Sequence, residues 1–532
     1  MQDRSDFQAE PQAQRTASMH AVLPLLTRLL RVELLVLLLI FAVFHYLKLS
    51  TFSIAIDDEY EAFRSNGYNW ILTGRWSSYL FLRYLVPQPI LPFFPAFLFG
   101  IGLVLSYALL LSCFGVRRLA PVHYFAFGIY AGFPTWMFLT SLTTACCWAG
   151  AAQLAVVIAV DRYRCVSFPD KSDLPQKRRT TVLNALLCVG ALAVAMGFYQ
   201  AYFPSFLVLG MGMLLLRADA PLKQLVMHMV MLGVLAVLGV LLHAAIDAAF
   251  RYAFGLQDLR YIKNFLDLSS LFKTPLTVLR HTAESAGAVY GGHAAVYGST
   301  SVAFPFIILA GATAVALWPT GGTGRWTRLA LVACILGAPF ALHIFNGGRM
   351  PLRTFVAVPV VFWLFAMLGL TSRVRAVALV ALFATGLGLL QMLYSSNLYV
   401  AAGYFARIHD QELASAVYAR IAESQPEFDS QKTYTVDFFG SRPFATHYPR
   451  PYSSTLGFSY FEWDGGNEER ILDYMRLIGY TNLQAPSLEQ RRQDLAEFAR
   501  MPTWPARDSV RVVGDVILVK LGSAPGFPFN VP

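Results

Sequence analysis

Long apolar stretches dominate the chain between Leu23 and Tyr394. A helix needs about 18 or more consecutive, mostly apolar residues to cross the hydrocarbon core of a bilayer. Read in order, the pattern predicts helices over 23–48, 90–113, 120–139, 142–160, 181–199, 201–216, 224–243, 301–318, 328–345, 354–370 and 376–394. The fold class expected is therefore a polytopic α-helical membrane protein with about eleven transmembrane helices. Past about Ser395 the pattern changes. "YFARIHDQELASAVYARIAE" is amphipathic at helical spacing, "KTYTVDFFG" reads as a strand, and "ERILDYMRLIG" and "LEQRRQDLAEFARM" read as further helices. "SVRVVGDVILVKL" sets two β-rich runs around Gly514-Asp515, a hairpin signal. Residues 1–394 are thus expected to form a transmembrane core, and 395–532 a small α/β domain.

Composition agrees with the pattern. Of 532 residues, 56% are hydrophobic and 14% charged, where soluble domains carry about 25% charge. The net charge is +10. No basic run is interleaved with aromatic residues as a nucleic-acid groove requires, so no nucleic-acid partner is expected. The excess instead follows the positive-inside rule. Arg28 and Arg31, Arg117 and Arg118, Arg162 to Arg179, Arg217 and Lys223, Arg325 and Arg328, and Arg373 and Arg375 fall on alternate loops and helix ends. This places the N-terminus in the cytoplasm and the C-terminal domain outside. A first external loop (49–89), a long external loop (244–300) and the turn "FNGGRMPLR" share the outer side. A polar lead precedes the first apolar run without a small-residue cleavage site, which predicts an uncleaved first helix. The six cysteines have neither disulfide nor zinc-ligand spacing and are expected to be structural thiols.

The stretch "AIDDEYEAFRSNGYNWILTGRW" puts adjacent acids, Asp57 and Asp58, just past the first membrane helix. They can cap a short surface helix that stops at Asn66-Gly67. Asp57, Glu61 and Arg64 would share one face of it, with Tyr60, Phe63 and Trp70 as interface anchors. The plain alternative is a solvated cap with a weak surface ion pair. The chemical alternative is a general base, since paired carboxylates raise one another's pKa and an external hydroxyl can reach them.

Several stretches carry a resemblance. The Asp57-Asp58 pair followed by Arg64 and "GYNWILTGRW", the Tyr199-Gln200 segment in "GFYQAYFPSF", the turn "RMPLRTFVAVP", and the C-terminal "FEWDGGNEERILDYMRLIGY" and "MPTWPARDSVRVVGDVILVKL" together resemble the glucosyl transferase II family of bacterial membrane enzymes. That resemblance implies a GT-C-type glycosyltransferase in the bacterial inner membrane. It would move glucose from a polyprenyl-phosphate donor to a surface polysaccharide, the lipopolysaccharide O-antigen, at the outer face. A donor-synthesising transferase and a flippase would supply it. GT-C enzymes carry the catalytic acid in the first external loop, where the charge argument also puts Asp57 and Asp58.

The chemistry would be a single inverting displacement with one carboxylate as base. Asp58, one residue deeper in the loop, is taken as the base and Asp57 as its orienting partner. Arginine suits bidentate phosphate contacts, so Arg64, Arg75, Arg349 and Arg353 are the candidates for the donor phosphate, against a plain role in snorkelling to the interface. Tyr199 and Gln200 line the cavity or pack it. Trp463, Asp464 and Asn467, with Glu462, can meet acceptor sugar or simply shape a loop on Gly465-Gly466. No tightly held metal or other cofactor is expected, though two carboxylates and a donor phosphate could hold a loosely bound divalent cation. The rival readings are another GT-C enzyme, moving mannose or aminoarabinose to lipid A, protein or a teichoic polymer, and a polysaccharide or lipid transporter or flippase. Transporters favour mid-membrane charges and inverted repeats, and no repeat is visible here.

Overall fold

The computed structural model describes residues 32–63, 67–88, 90–116, 118–168, 177–217, 220–256, 267–318, 324–451 and 454–526. Arg64, residues 23–31 of the first predicted segment and residues 319–323 lie outside them. The main helices of the apolar part are α1 (Glu33–Ser50), α2 (Asp58–Phe63), α3 (Tyr68–Leu72), α4 (Trp76–Leu80), α5 (Phe94–Cys113), α6 (Pro121–Gly132), α7 (Pro134–Thr140) and α8 (Thr143–Ser167). They continue with α9 (Lys177–Phe198), α10 (Phe203–Leu215), α11 (Leu222–Ala253), α12 (Pro275–Tyr290), α13 (Ala303–Ala316), α14 (Gly324–Gly337), α15 (Val358–Leu370) and α16 (Arg375–Glu423). Among the described residues, seven helices are long and apolar enough to cross a membrane, and three shorter apolar helices accompany them.

Each of the eleven predicted stretches holds helix, with three differences in detail. The stretch 120–139 is broken in two at Phe133, whose ψ of 136° is extended. Its neighbour is Pro134, and the ring of a following proline disfavours helical geometry in the residue before it. Helix α11 runs to Ala253, so part of the long loop is helix, and α12 adds another sixteen residues within that loop. The segment 376–394 and the amphipathic stretch after it are one helix of 49 residues. At 1.5 Å per residue that is about 70 Å, more than twice the roughly 30 Å hydrocarbon core.

Close backbone approach sets the packing of α5 on α8. A Cβ placed on Gly102 would lie 2.4 Å from the carbonyl carbon of Gly150, so the two helices touch where neither carries a side chain. Tyr130 centres a group of polar contacts between helices. The Tyr130 hydroxyl meets Ser106 at 2.9 Å and Gln153 at 2.8 Å, and Trp136 donates to the Tyr130 carbonyl at 2.7 Å. Of the cysteines, Cys113, Cys146, Cys147 and Cys188 are buried thiols outside any disulfide.

Beyond α16 stand a four-stranded sheet, β1 (Tyr434–Phe439), β2 (Leu483–Gln484), β3 (Val510–Val513) and β4 (Val516–Lys520), and two helices, α17 (Glu468–Leu477) and α18 (Leu488–Arg500). The strand order is β2-β1-β4-β3, with β1 parallel to β2 and β4, and β3 antiparallel to β4. The β3–β4 hairpin turns at Gly514, whose φ of +59° glycine adopts without steric cost. Leu413, Ala414, Val417 and Ile421 on the far end of α16 share a core with Val436, Phe438 and Ile471. Ile56 of the first loop belongs to the same core. The loop carrying the acids is thus packed onto the core of the C-terminal sheet.

Candidate active site at the first loop

Asp57 and Asp58 adjoin in sequence and diverge in space. Asp58 opens α2 and is wholly buried. One carboxylate oxygen accepts from the Thr143 amide at 2.9 Å; the other accepts from the Thr143 hydroxyl at 2.7 Å and the Ala55 amide at 3.0 Å. Thr143 is the first residue of α8, so Asp58 caps a helix 85 residues away, where a negative charge also meets the positive end of the helix dipole. Burial pushes the Asp58 carboxyl up to about 6, against its hydrogen bonds and the Lys48 ammonium. The neighbouring Asp57 is not the cause.

Asp57 precedes α2 with a φ of +88°, a left-handed conformation that costs a non-glycine residue energy. Its side chain is 37% exposed and pairs with Nη2 of Arg470 at 2.9 Å. Arg470 lies on α17 and gathers three acids. Nη1 holds Glu59, Nη2 holds Asp57, and Nε holds Asp464 at 2.9 Å. Glu59 is itself wholly buried, and its other oxygen accepts from the Asp57 amide at 2.7 Å. Burial pushes Glu59 up to about 8, with Arg470 pulling against it. The Arg470 guanidinium fills the space between the three carboxylates, which is where a cation shared by them would sit.

The same junction accounts for other candidates. Asn467 caps α17 through the Arg470 amide and reaches the Tyr60 hydroxyl at 3.4 Å. Asp464 is held by Arg470, while Trp463 meets Phe458 edge-on at 5.1 Å. Glu462 pairs with Arg450 at 2.8 Å. Tyr60 lies under Arg470 and Phe63 under Arg476, at 4.2 and 4.4 Å from the ring centroids, and Trp70 is buried with its ring nitrogen on Glu61 at 3.0 Å. The three aromatics expected as interface anchors each pack on a partner in folded protein.

Arg75, Tyr199 and Gln200 come together at a second place. The Arg75 guanidinium lies over Tyr199 at 4.7 Å and Trp70 at 5.7 Å, and its buried Nε has no hydrogen-bond partner. Gln200 donates to the Thr73 and Gly74 carbonyls, both at 3.0 Å, and so braces the loop that carries Arg75. Arg349 is exposed on the turn before α15, in the field of Glu284, and Arg353 is half-buried on the same turn.

A cavity of about 450 Å³ opens beside Ala55 and Thr143, the partners of Asp58. Ala55, Thr143, Thr140 and Tyr460 line it near Asp58, with Lys48 and Arg407 as its cations and Asp410 as an acid. Phe52, Leu91, Phe93, Tyr404 and Phe405 form an exposed apolar rim. A second cavity of about 490 Å³ shares Leu47, Lys48, Met137, Asn397 and Val400 with it and continues between α1 and α16 as far as Leu39. The ten residues from Leu39 to Lys48, nine rises of 1.5 Å, span about 14 Å of helix. The result is an apolar groove along a membrane-length helix, ending at a lysine beside Asp58.

A family model described as glucosyl transferase GtrII matches residues 46–370. The chain belongs to the glucosyl transferase GtrII family. Membership makes it a membrane glycosyltransferase, and the match includes the acid pair, Thr143, Arg75 and Lys48, ending at Leu370. Neither the curated proteins nor the solved structures hold a match to the chain. Within this GtrII-family chain, sequence reasoning passed over Lys48, Glu59, Thr143 and Arg470. Glu59 and Arg470 stand inside the very stretches singled out, "AIDDEYEAF" and "FEWDGGNEER", where each reads as one more surface charge. Lys48 has a signal of its own, a lone cation at the end of an apolar run.

Proposed function

We propose that this protein transfers a sugar, glucose by its family, from a polyprenyl-phosphate donor to a surface polysaccharide at the outer face of the bacterial inner membrane. In this reading eleven spans carry the chain from a cytoplasmic N-terminus to an extracytoplasmic C-terminal α/β domain. The observation that carries the reading is the groove between α1 and α16, apolar along α1 and ending at Lys48, which lies in the field of Asp58. An isoprenoid chain suits such a groove. Its phosphate would then meet Lys48, with Arg407 as the second cation lining the cavity.

Asp57 is the better base of the pair, reversing the order expected from sequence. Asp58 has both oxygens committed to α8 and Ala55 and no exposed surface. Asp57 keeps over a third of its side chain open. As the acceptor hydroxyl attacks the anomeric carbon, its proton passes to the Asp57 carboxylate. The new glycosidic bond forms as the anomeric carbon–phosphate oxygen bond breaks, and polyprenyl phosphate leaves with the electron pair. One displacement inverts the anomeric centre, and the scheme needs no cofactor. Trp463 and Asp464, beside Arg470, stand on the side from which acceptor sugar would approach.

The test is transfer of radiolabelled glucose from polyprenyl-phosphate glucose to polysaccharide in membranes holding the full chain. A charge-assisted hydrogen bond contributes about 1.5–3 kcal/mol, so Lys48→Met should raise the donor KM about ten- to a hundredfold with kcat little changed. A donor KM that does not move would remove the phosphate from this groove.

A further inference from the structure

Arg470 lies beyond Leu370, where the family match ends, yet it is the cation on which two first-loop acids, Asp57 and Glu59, converge. We propose that Arg470 is a positioning residue of the transfer site, holding the Asp57 carboxylate in its working place so that the C-terminal domain and the first loop form one site. This rests on the reading of Asp57 as the base.

Three features carry it. The first is geometry. Nη1 and Nη2 of Arg470 go to Glu59 and Asp57 of the first loop, Nε goes to Asp464 of its own C-terminal segment, and Tyr60 lies beneath. The second is strain. Asp57 holds a positive φ that a non-glycine residue keeps only when its surroundings over-determine it. Here Glu59 grips its amide and Arg470 its carboxylate. The third is burial. Arg470 is 8% exposed, and an arginine taken out of water needs full pairing of its charge. A guanidinium used merely to glue two surfaces could pair with the buried Glu59 alone. This one also reaches the partly open Asp57, whose free edge faces solvent.

The role differs from that of Arg476, further along α17. Arg476 also packs on the first loop, through Phe63, but touches none of the acids. It is the control for interface packing. The experiment measures kcat and the donor and acceptor KM of sugar transfer in membranes for the wild type, Arg470→Gln, Arg470→Lys, Arg476→Gln and Asp57→Asn. For Arg470→Gln we expect kcat to fall about ten- to a hundredfold at near-constant donor KM. Arg470→Lys should recover part of that loss, and Arg476→Gln should show none of it.

The outcomes separate. If Asp57→Asn abolishes transfer while Arg470→Gln keeps the wild-type kcat, the positioning role is overturned and the transferase reading stands. If Arg476→Gln loses as much kcat as Arg470→Gln and Arg470→Lys recovers none of the loss, the arginine is interface packing and the proposal fails. A wild type that transfers no sugar, or an Asp57→Asn that transfers normally, overturns the reading of Asp57 and this inference with it.

Discussion

Asp57→Asn is expected to cut sugar transfer by about 10²–10⁴-fold, the usual contribution of a positioned general base. That corresponds to about 3–5 kcal/mol at the transition state. The substitution isolates the chemistry well. Asparagine tolerates the positive φ at position 57, and its carbonyl can still accept from Arg470, which keeps Glu59 and Asp464. What disappears is the charge that takes the proton. Donor KM and thermal unfolding in detergent should therefore stay near wild type while kcat collapses. Initial rates at matched expression, with an unfolding curve for each preparation, read both quantities. Transfer by Asp57→Asn at close to the wild-type rate would move the base to another residue.

How much of this could be read without coordinates differs between local and distant features. The apolar runs place the helices because a bilayer demands that backbone groups be satisfied within each segment. The hairpin at Gly514-Asp515 is encoded in two residues and their flanks. A membrane span and the amphipathic stretch after it looked like two elements, because the pattern changes face composition near Ser395. The helix itself does not stop there: the stretch lacks a glycine cap or a proline to end it, and the backbone runs on to Glu423. The site was legible as a place but not as an arrangement. Asp58 finds its partner 85 residues on, and Glu59 finds Arg470 across 411. Such pairings are decided by how helices dock, and no local period records them. Adjacent acids therefore looked like a coupled pair, whereas folding gives one to a helix end and the other to an arginine.

That division makes Asp58 the position where stability, rather than chemistry, should fail. Asp58→Ala leaves the Thr143 and Ala55 amides without their acceptor in a buried site. Each orphaned donor costs about 1–3 kcal/mol, so a loss of about 2–6 kcal/mol is expected. Asp58→Asn should be milder. Its carbonyl can still accept from the Thr143 amide, and its NH₂ can donate to the Thr143 hydroxyl, leaving the Ala55 amide as the unmet donor. Asparagine also imitates the protonated acid, which gives a pH signature with a definite sign. The Asp58 carboxyl is raised from 3.8 to about 6 by burial, so between those values the folded protein holds a proton that the unfolded chain has released. Its contribution to stability is present in full below about 4 and falls as pH rises through about 6. Unfolding of the wild type and of Asp58→Asn, measured in detergent across this range, should therefore show the wild type losing ground to the variant between about pH 4 and 6, with a constant difference above. Glu59, Asp437 and Glu468 also titrate upward, but they do so in both proteins and cancel in the difference. A difference that stays flat from pH 4 to 6 would mean that Asp58 keeps its charge throughout, with the α8 terminus and Lys48 outweighing burial.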